Sequence, residues 1–287
     1  MEYGTQPYAG LDTYFLDNYE EIDTDRKRPV VLICPGGGYR MTSDREAEAV
    51  AIKYVSMGYQ ACVLRYSVKP SIFPRALCEL AWCVKYLRSH ADEYAIDRNG
   101  IFVLGFSAGG HLAASLGVFW HEKWLEELLG ADKSEMRPDG MILCYPVISS
   151  KQYGHMESFE NLLGDENTEE MRNYLSLEDH VTEMFPPAFI WHTYEDETVP
   201  VENSFLMAGA LRKAGVSCEL HIFPHGSHGL SLAKEETRCA DTGGGIQKHC
   251  QHWPELTDEW IREMKENKCE KKKKGIIFDL DGVIVST

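Results

Sequence analysis

Short runs rich in Val, Ile, Leu, Phe and Cys recur along the chain, and stretches with helical periodicity lie between them. Because these runs are apolar throughout, they are typical of strands buried on both faces of a sheet. Strands that alternate with helices form a mostly parallel sheet with helices on both faces. The pattern predicts strands at 30–34, 61–66, 101–105, 141–146, 188–193 and 218–223, and helices at 44–57, 75–95, 108–129, 202–214 and 252–267.

Two regions depart from this alternation. Near the start, "TYFLD" (13–17) and "EEIDTD" (20–25) favour an antiparallel pair at an edge of the sheet. Residues 149–185 are polar and contain short helical segments between two predicted strands. Either a small lid over the strand ends or a plain surface excursion accounts for such an insertion, since long surface loops cost little free energy.

The charge balance restricts the kinds of partner. Lys and Arg total 29 against 45 Asp and Glu, a net charge of -16, which argues against nucleic acid and anionic membranes. A neutral or weakly polar small molecule fits better as the substrate. The oligomeric state stays open, a homo-oligomer included.

The cysteines and the start of the chain bear on its compartment. Nine cysteines occur at irregular spacing, and Cys34, Cys62 and Cys144 lie inside predicted strands. Such cysteines behave as small buried apolar groups in a reducing compartment. The N-terminus lacks the features of a signal peptide, and no apolar run approaches the ~20 residues that cross a bilayer. We therefore expect a cytoplasmic protein.

The strand at 101–105 runs directly into "GFSAG" (105–109), and a helical pattern follows. A Gly-x-Ser-x-Gly sequence between a strand and a helix is typical of a sharp turn that presents a nucleophilic serine. Ser107 is the candidate nucleophile, and the backbone N–H of Ala108 is a candidate oxyanion donor at the helix start. The alternative is a tight turn without chemistry.

A serine nucleophile needs a base and a group that orients the base. Asp196 follows the predicted strand at 188–193, and His228 lies in a Gly-rich loop after the strand at 218–223. Glu195 and Glu197 compete with Asp196, and His225 competes with His228. His111 lies one turn after Ser107, where packing or a hydrogen bond is the expected role.

Three consecutive glycines, Gly36, Gly37 and Gly38, follow the first predicted parallel strand in "VVLICPGGGY" (30–39). A loop without side chains exposes backbone N–H groups to an anion, so this loop is a candidate for the second oxyanion donor. A flexible turn is the alternative.

Residues 10–267 resemble the α/β-hydrolase superfamily, within it the lipases and esterases with a glycine-rich oxyanion loop. The resemblance rests on "PGGGY", "GFSAGGHLAA", "HTYEDETVPVENS" and "HGSHGLSL", in this order, and it is strongest to acetyl esterases and acetylxylan-esterase-like proteins. It implies a catalytic triad of Ser107, Asp196 and His228, with oxyanion donors at Gly37 and Gly38. One position departs from the family pattern: Pro35 stands where the family commonly has a histidine.

We therefore predict an α/β-hydrolase domain over 1–267 that acts as a serine carboxylesterase on short acyl esters, acetyl above all, carried by a carbohydrate or another small alcohol. No cofactor and no metal is expected. The alternatives are a small serine peptidase of the same fold and an inactive binding protein. An inactive protein typically lacks a triad member, and all three are present.

The last residues follow a different pattern. Residues 268–274 are a charged run that predicts a linker, and residues 275–287, "GIIFDLDGVIVST", resemble the start of β-phosphoglucomutase-like haloacid-dehalogenase domains. That resemblance implies a nucleophile at Asp279 and an acid/base at Asp281, beside Mg²⁺. Only six residues follow Asp281, so we expect a stub without chemistry.

Overall fold

A computed structural model describes residues 9–273. In this part of the chain seven strands form one sheet. Their bounds are β1 Gly10–Tyr14, β2 Arg28–Cys34, β3 Gln60–Arg65, β4 Ile96–Phe106, β5 Gly140–Cys144, β6 Ala188–Thr193 and β7 Cys218–Phe223. The order across the sheet is β1-β3-β2-β4-β5-β6-β7. All neighbours are parallel except β1, which pairs antiparallel with β3.

Helices cover both faces of this sheet, as the alternating pattern predicted. Their bounds are α1 Glu48–Ser56, α2 Arg75–Ser89, α3 Ala108–Phe119, α4 Lys123–Leu129, α5 Lys133–Met136, α6 Met156–Leu163, α7 Glu169–Tyr174, α8 Glu202–Lys213 and α9 Trp253–Lys273. Short 3₁₀ helices lie at Asp44–Glu46, Gly164–Glu166, Leu177–Asp179 and Glu235–Thr237. The sheet thus has two apolar layers, one on each face.

Alternate residues of the central strands feed these two layers. In β2, Val30 and Leu32 pack into the layer formed with α2, α3 and α8, whereas Val31 and Ile33 pack into the layer formed with α1 and α9. This explains why the strand sequences are apolar at every position, since successive side chains of a strand point to opposite faces. Within the described residues, no helix is both long enough and apolar enough to cross a membrane.

Three local predictions were wrong. Residues 20–25 do not form a strand, and β1 pairs with β3 at the sheet edge instead, where Leu11 and Tyr14 cover part of the core. The Asn18 side chain donates to the carbonyls of Thr24 and Arg26, which folds this segment into a loop. The helix predicted at 108–129 is two helices, α3 and α4, and the helix predicted at 75–95 ends at Ser89.

Residues 149–185 form a packed cover rather than a loose excursion. They contain α6 and α7, and their buried apolar side chains belong to the core on the α2/α3 face. Leu177 N–H donates to the carbonyl of Ile148, and Asn161 reaches across to the carbonyl of Gly38. The cover is therefore fixed to the edge of the sheet where the parallel strands end.

At the other end of the chain, α9 continues through Lys273, so residues 268–273 of the predicted linker are helical. The resemblance of residues 275–287 to a haloacid-dehalogenase start lies outside the described residues.

Candidate active site

Ser107 lies on a strained turn between β4 and α3. Its backbone is at φ 53° and ψ −119°, a conformation that few L-residues adopt without support from their surroundings. A Cβ on Gly105 would lie 2.1 Å from the carbonyl oxygen of Gly109, and a Cβ on Gly109 would lie 2.1 Å from that of Cys34. Glycine at both positions therefore allows the strand, the turn and the helix to approach this closely.

The structure brings Ser107, His228 and Asp196 into one hydrogen-bonded chain. Nε2 of His228 lies 2.7 Å from Oγ of Ser107, and Nδ1 of His228 lies 2.6 Å from Oδ2 of Asp196. Since the carboxylate can only accept, Nδ1 carries the proton and Nε2 is free to accept the serine proton. This is the arrangement that a base and its orienting group require.

The Asp196 carboxylate is buried and has several donors. Its Oδ1 accepts from the N–H groups of Thr198 and Val199, and its Oδ2 also lies 3.2 Å from Nε2 of His192. Burial raises the pKa of Asp196, but the hydrogen bonds from His192 and His228 and the charge of His228 outweigh it, so this pKa lies well below its ordinary value. The carboxylate is therefore ionised whenever the protein is folded near neutral pH.

The competing residues lie elsewhere. His225 pairs with Glu195 at the surface, where both side chains are more than half exposed, and Glu197 is exposed. His111 is buried, with Nδ1 on the hydroxyl of Tyr39 and Nε2 on the carbonyl of Leu175. Burial lowers the pKa of His111 to about 4, so it is a neutral hydrogen-bonding group that ties the glycine loop and α3 to the cover.

In the glycine loop (residues 36–38), two N–H groups point away from the side on which the loop carbonyls accept hydrogen bonds. The carbonyl of Gly36 accepts from Ser43, and the carbonyl of Gly37 accepts from Arg40 and Met41. Because a trans peptide places C=O and N–H on opposite sides, the N–H groups of Gly37 and Gly38 face the other way. Gly37 at φ 130° and Gly38 at φ 62° permit this path.

No hydrogen bond within residues 9–273 uses the N–H of Gly37, Gly38 or Ala108. All three donors belong to the segments that meet at Ser107. Gly36 is the contact point between these segments, because a Cβ there would lie 3.0 Å from Cβ of Ser107. The arrangement can therefore offer unpaired donors to a developing negative charge beside Ser107.

Other groups provide the anchoring that a histidine at position 35 would have supplied. The hydroxyl of Tyr66 donates to the carbonyl of Pro35 at 2.6 Å, and Asn161 Nδ2 donates to the carbonyl of Gly38 at 2.9 Å. The N–H of Gly36 donates to Oε2 of Glu46 at 2.7 Å. The loop is thus held at Pro35, Gly36 and Gly38 by side chains from three different segments.

The cover also places polar side chains beside the glycine loop. Oγ of Ser158 lies 3.9 Å from the position of a Cβ on Gly38, and it is 2.9 Å from Nδ1 of His155. Burial and the charge of His228 lower the pKa of His155. One side of the site is therefore built from residues outside the sequence motifs.

Sequence reasoning missed several residues of this site. These residues carry no motif: Glu46, Tyr145 and Asn161 bond partners far away in the chain, and His155 and His192 bond partners close in sequence. The one usable signal was at His192, which stands at the end of an apolar strand run four residues before Asp196.

Cys239, His249, Cys250 and His252 lack the spacing of a closed zinc site. Among residues 9–273 no group of three or more His, Cys, Asp or Glu side chains is arranged to hold a metal ion.

A mostly parallel sheet with helices on both faces and a Gly-x-Ser-x-Gly elbow after a central strand defines an α/β-hydrolase. Residues 16–211 match the family described as BD-FAE, and the chain belongs to this family. The predicted fold and the predicted resemblance to esterases of this superfamily are thereby confirmed.

Individual relatives agree with this assignment. The chain is 37% identical to an acetyl ester-xyloside bifunctional hydrolase from Caldicellulosiruptor lactoaceticus, whose crystal structure it matches with a TM-score of 0.76 over 91% of this chain and 90% of that one. It is 40% identical to endo-1,4-beta-xylanase B of Butyrivibrio fibrisolvens over 77% of this chain, and 30% identical to an acetylxylan esterase of Xylanibacter ruminicola over 69%. The matched region covers only 35% and 40% of the length of these two curated relatives.

Proposed function

We propose that the protein is a serine carboxylesterase that removes short acyl groups, acetyl above all, from a carbohydrate or another small alcohol. The observation that carries the proposal is the hydrogen-bonded chain from Ser107 through His228 to Asp196, with N–H groups of the glycine loop and Ala108 beside it that have no partner among the described residues. Such a set of groups performs acyl transfer on an ester.

In the first half of the reaction, Oγ of Ser107 attacks the ester carbonyl while Nε2 of His228 takes its proton. The carbonyl oxygen becomes an oxyanion, which the N–H groups of Gly37, Gly38 and Ala108 stabilise. Removal of one such donor typically costs about 10²- to 10³-fold in kcat. His228 then gives the proton to the leaving alcohol, and an acyl-enzyme on Ser107 remains.

In the second half, water attacks the acyl carbon and His228 accepts its proton. The same oxyanion donors stabilise the second tetrahedral intermediate, and its collapse returns the proton to Ser107 and releases the acid. Asp196 holds His228 in the tautomer with Nδ1 protonated and stabilises the imidazolium in both halves.

The substrate class rests on two supports. The relatives named above are an acetylxylan esterase, a xylanase and an acetyl ester-xyloside hydrolase, so an acylated carbohydrate is the natural class to propose. The net charge of -16 disfavours anionic substrates and fits a neutral one.

The test is hydrolysis of p-nitrophenyl acetate, compared with longer p-nitrophenyl esters and with peptide anilides, and Ser107→Ala as the control. We expect acetyl and propionyl esters to be the best substrates. Rates that climb steadily to octanoyl or longer would indicate a lipase, and turnover of anilides above esters would indicate a peptidase. A screen of acetylated mono- and oligosaccharides then identifies the natural alcohol.

A further inference from the structure

A short segment directly after the glycine loop contacts both halves of the catalytic machinery. The residue of this segment that makes both contacts is Glu46, the last residue of the 3₁₀ helix Asp44–Glu46. Only 4% of Glu46 is exposed. Oε2 of Glu46 accepts from the N–H of Gly36 at 2.7 Å, and Oε1 accepts from the hydroxyl of Tyr145 at 2.7 Å. Each carboxylate oxygen is thus bound to a different part of the site.

Tyr145 continues this connection to the histidine loop. Its hydroxyl accepts from the N–H of Ser231 at 2.8 Å, three residues after His228, and its ring packs edge-on against the His228 ring with centroids 5.1 Å apart. Burial and the carboxylate of Glu46 raise the pKa of Tyr145, so it keeps its proton for the bond to Glu46. Tyr145 stands at φ 38°, and strained residues of this kind cluster at functional sites.

Arg45 holds the same loop from a second direction. Its Nη2 donates to the carbonyl of Gly229 at 2.8 Å, and its own carbonyl accepts from Oγ of Ser231 at 2.5 Å. His228 therefore lies in a loop whose following residues are fixed by the segment that also fixes Gly36.

Burial of the Glu46 carboxylate is not explained by a gain in folding stability. A buried carboxylate costs free energy unless it is well paired, and within the described residues no Lys, Arg or His lies in salt-bridge range of Glu46. Its partners are one N–H of the oxyanion loop and one hydroxyl on the histidine side. A catalytic constellation must be held to within ~0.5 Å, and this carboxylate is placed to set that distance.

We propose that Glu46, acting through Tyr145, is a positioning residue that fixes the oxyanion loop and the His228 loop relative to each other. This inference rests on the proposed function. It concerns the alignment of groups in the transition state, so loss of Glu46 lowers kcat and leaves the KM for a small ester nearly unchanged.

The experiment compares Glu46→Gln, Tyr145→Phe and the double variant with Glu79→Gln as the matched control. Glu79 is also a buried carboxylate with 3% of the residue exposed, and its two oxygens accept from N–H and Oγ of Ser67 rather than from the glycine loop or the His228 loop. The readouts are kcat and KM for p-nitrophenyl acetate, the melting temperature, and the affinity of a trifluoromethyl ketone that adds to the serine as an oxyanion.

We expect Glu46→Gln to lower kcat about 100-fold, since a misplacement of ~1 Å has such an effect, and Tyr145→Phe to lower it about 10-fold. Ketone affinity should fall in parallel with kcat/KM, and the double variant should lose less than the product of the two single effects, since the residues lie on one path. Glu79→Gln should lower the melting temperature yet keep kcat within about threefold of wild type.

The inference is wrong if Tyr145→Phe and Glu46→Gln keep wild-type kcat and ketone affinity. It is also wrong if Glu79→Gln lowers the melting temperature as far as Glu46→Gln does and loses as much activity as Glu46→Gln. Tyr145→Phe decides the matter if Glu46→Gln fails to fold, because it leaves the bond between Glu46 and Gly36 in place. Failure of the proposed function looks different: the wild-type protein would then hydrolyse no ester, and a fluorophosphonate would not label Ser107.

Discussion

The two sides of the candidate site are built in different ways. On one side, the turn at Ser107 and the glycine loop depend on close approaches of the backbone, where an added Cβ would collide with a neighbouring main chain. On the other side, the cover at 149–185 meets the site through side chains, among them Asn161, Ser158 and His155. From this difference we expect substitutions on the first side to affect the proposed reaction most, and substitutions on the second side to have smaller effects, among them on recognition of the alcohol.

The largest expected effect is on the first side. Ser107→Ala and His228→Ala should each lower kcat by about 10³-fold or more, because the residues act as a unit. His225→Ala is the matched control, since the imidazole of His225 pairs with the exposed Glu195 at the surface, and it should keep nearly full activity in the same p-nitrophenyl acetate assay. If His225→Ala were the inactive variant and His228→Ala active, the base would be assigned to the wrong histidine.

Asp196→Asn should lower kcat by up to about 10⁴-fold, because an amide no longer selects the Nδ1-protonated tautomer of His228. It should also change the dependence of stability on pH. The pKa of Asp196 is lowered in the folded protein, so the ionised carboxylate stabilises the fold above its ordinary pKa of ~3.9, and this stabilisation is lost as the pH falls towards the lower folded value.

Thermal melts between pH 3 and 7 check the second part of this prediction. Below about pH 4 the wild-type melting temperature should fall more steeply than that of Asp196→Asn. Glu197→Gln is the control, since Glu197 is exposed, and its melting curve should follow that of wild type at every pH. Parallel wild-type and Asp196→Asn curves would contradict the assignment of a lowered pKa to Asp196.

A smaller effect should come from the contact between the two sides. Asn161→Ala removes the donor to the carbonyl of Gly38, so the glycine loop loses one of its anchors, and kcat/KM should fall about 10-fold. Glu157→Ala is the control, because Glu157 of the cover and Arg40 after the glycine loop form an ion pair between exposed side chains. Loss of this ion pair should have no measurable effect on kcat/KM. Equal rates for both variants would mean that the cover does not support the loop.

The smallest effect should be a change of selectivity. Nδ1 of His155 is bound to Ser158, and within the described residues no hydrogen bond uses its Nε2. We expect His155→Ala to raise KM for acetylated oligosaccharides about threefold to 10-fold, the value of one hydrogen bond, and to leave p-nitrophenyl acetate unchanged. Steady-state kinetics with both substrates decide this, and an equal change for both would remove His155 from alcohol recognition.

Much of the fold was predictable because the hydrophobic pattern is a local property. The strands at 188–193 and 218–223 match the observed bounds, three others differ by one or two residues at their ends, and β4 begins five residues before its predicted start at 101. The segment at 20–25 was mispredicted because its neighbour β1 found a partner in β3, some 50 residues away in the chain. The partner of an edge strand depends on which strand lies at the edge of the folded sheet. A sequence pattern does not show which strand that is.

The sequence by itself determined where chemistry is to be expected. Ser107, Asp196 and His228 each follow a predicted strand, and parallel strands bring their carboxyl ends to one edge of a sheet, so motif and topology together predict that these residues meet. The glycines were readable as well: those at 36, 37, 105 and 109 mark close approaches of the backbone, and Gly38 has a positive φ of 62°.

Only the tertiary structure decided how these groups are held. Glu46 meets Tyr145 across 99 residues of chain, and Arg45 meets Gly229 across 184. Asn161 reaches the glycine loop from an insertion that carries no motif. Such hydrogen bonds depend on the final positions of side chains from distant segments, with no repeating spacing along the chain to reveal them. The sequence alone predicts the candidate reacting groups, whereas the residues that hold them in position are visible only in the folded structure.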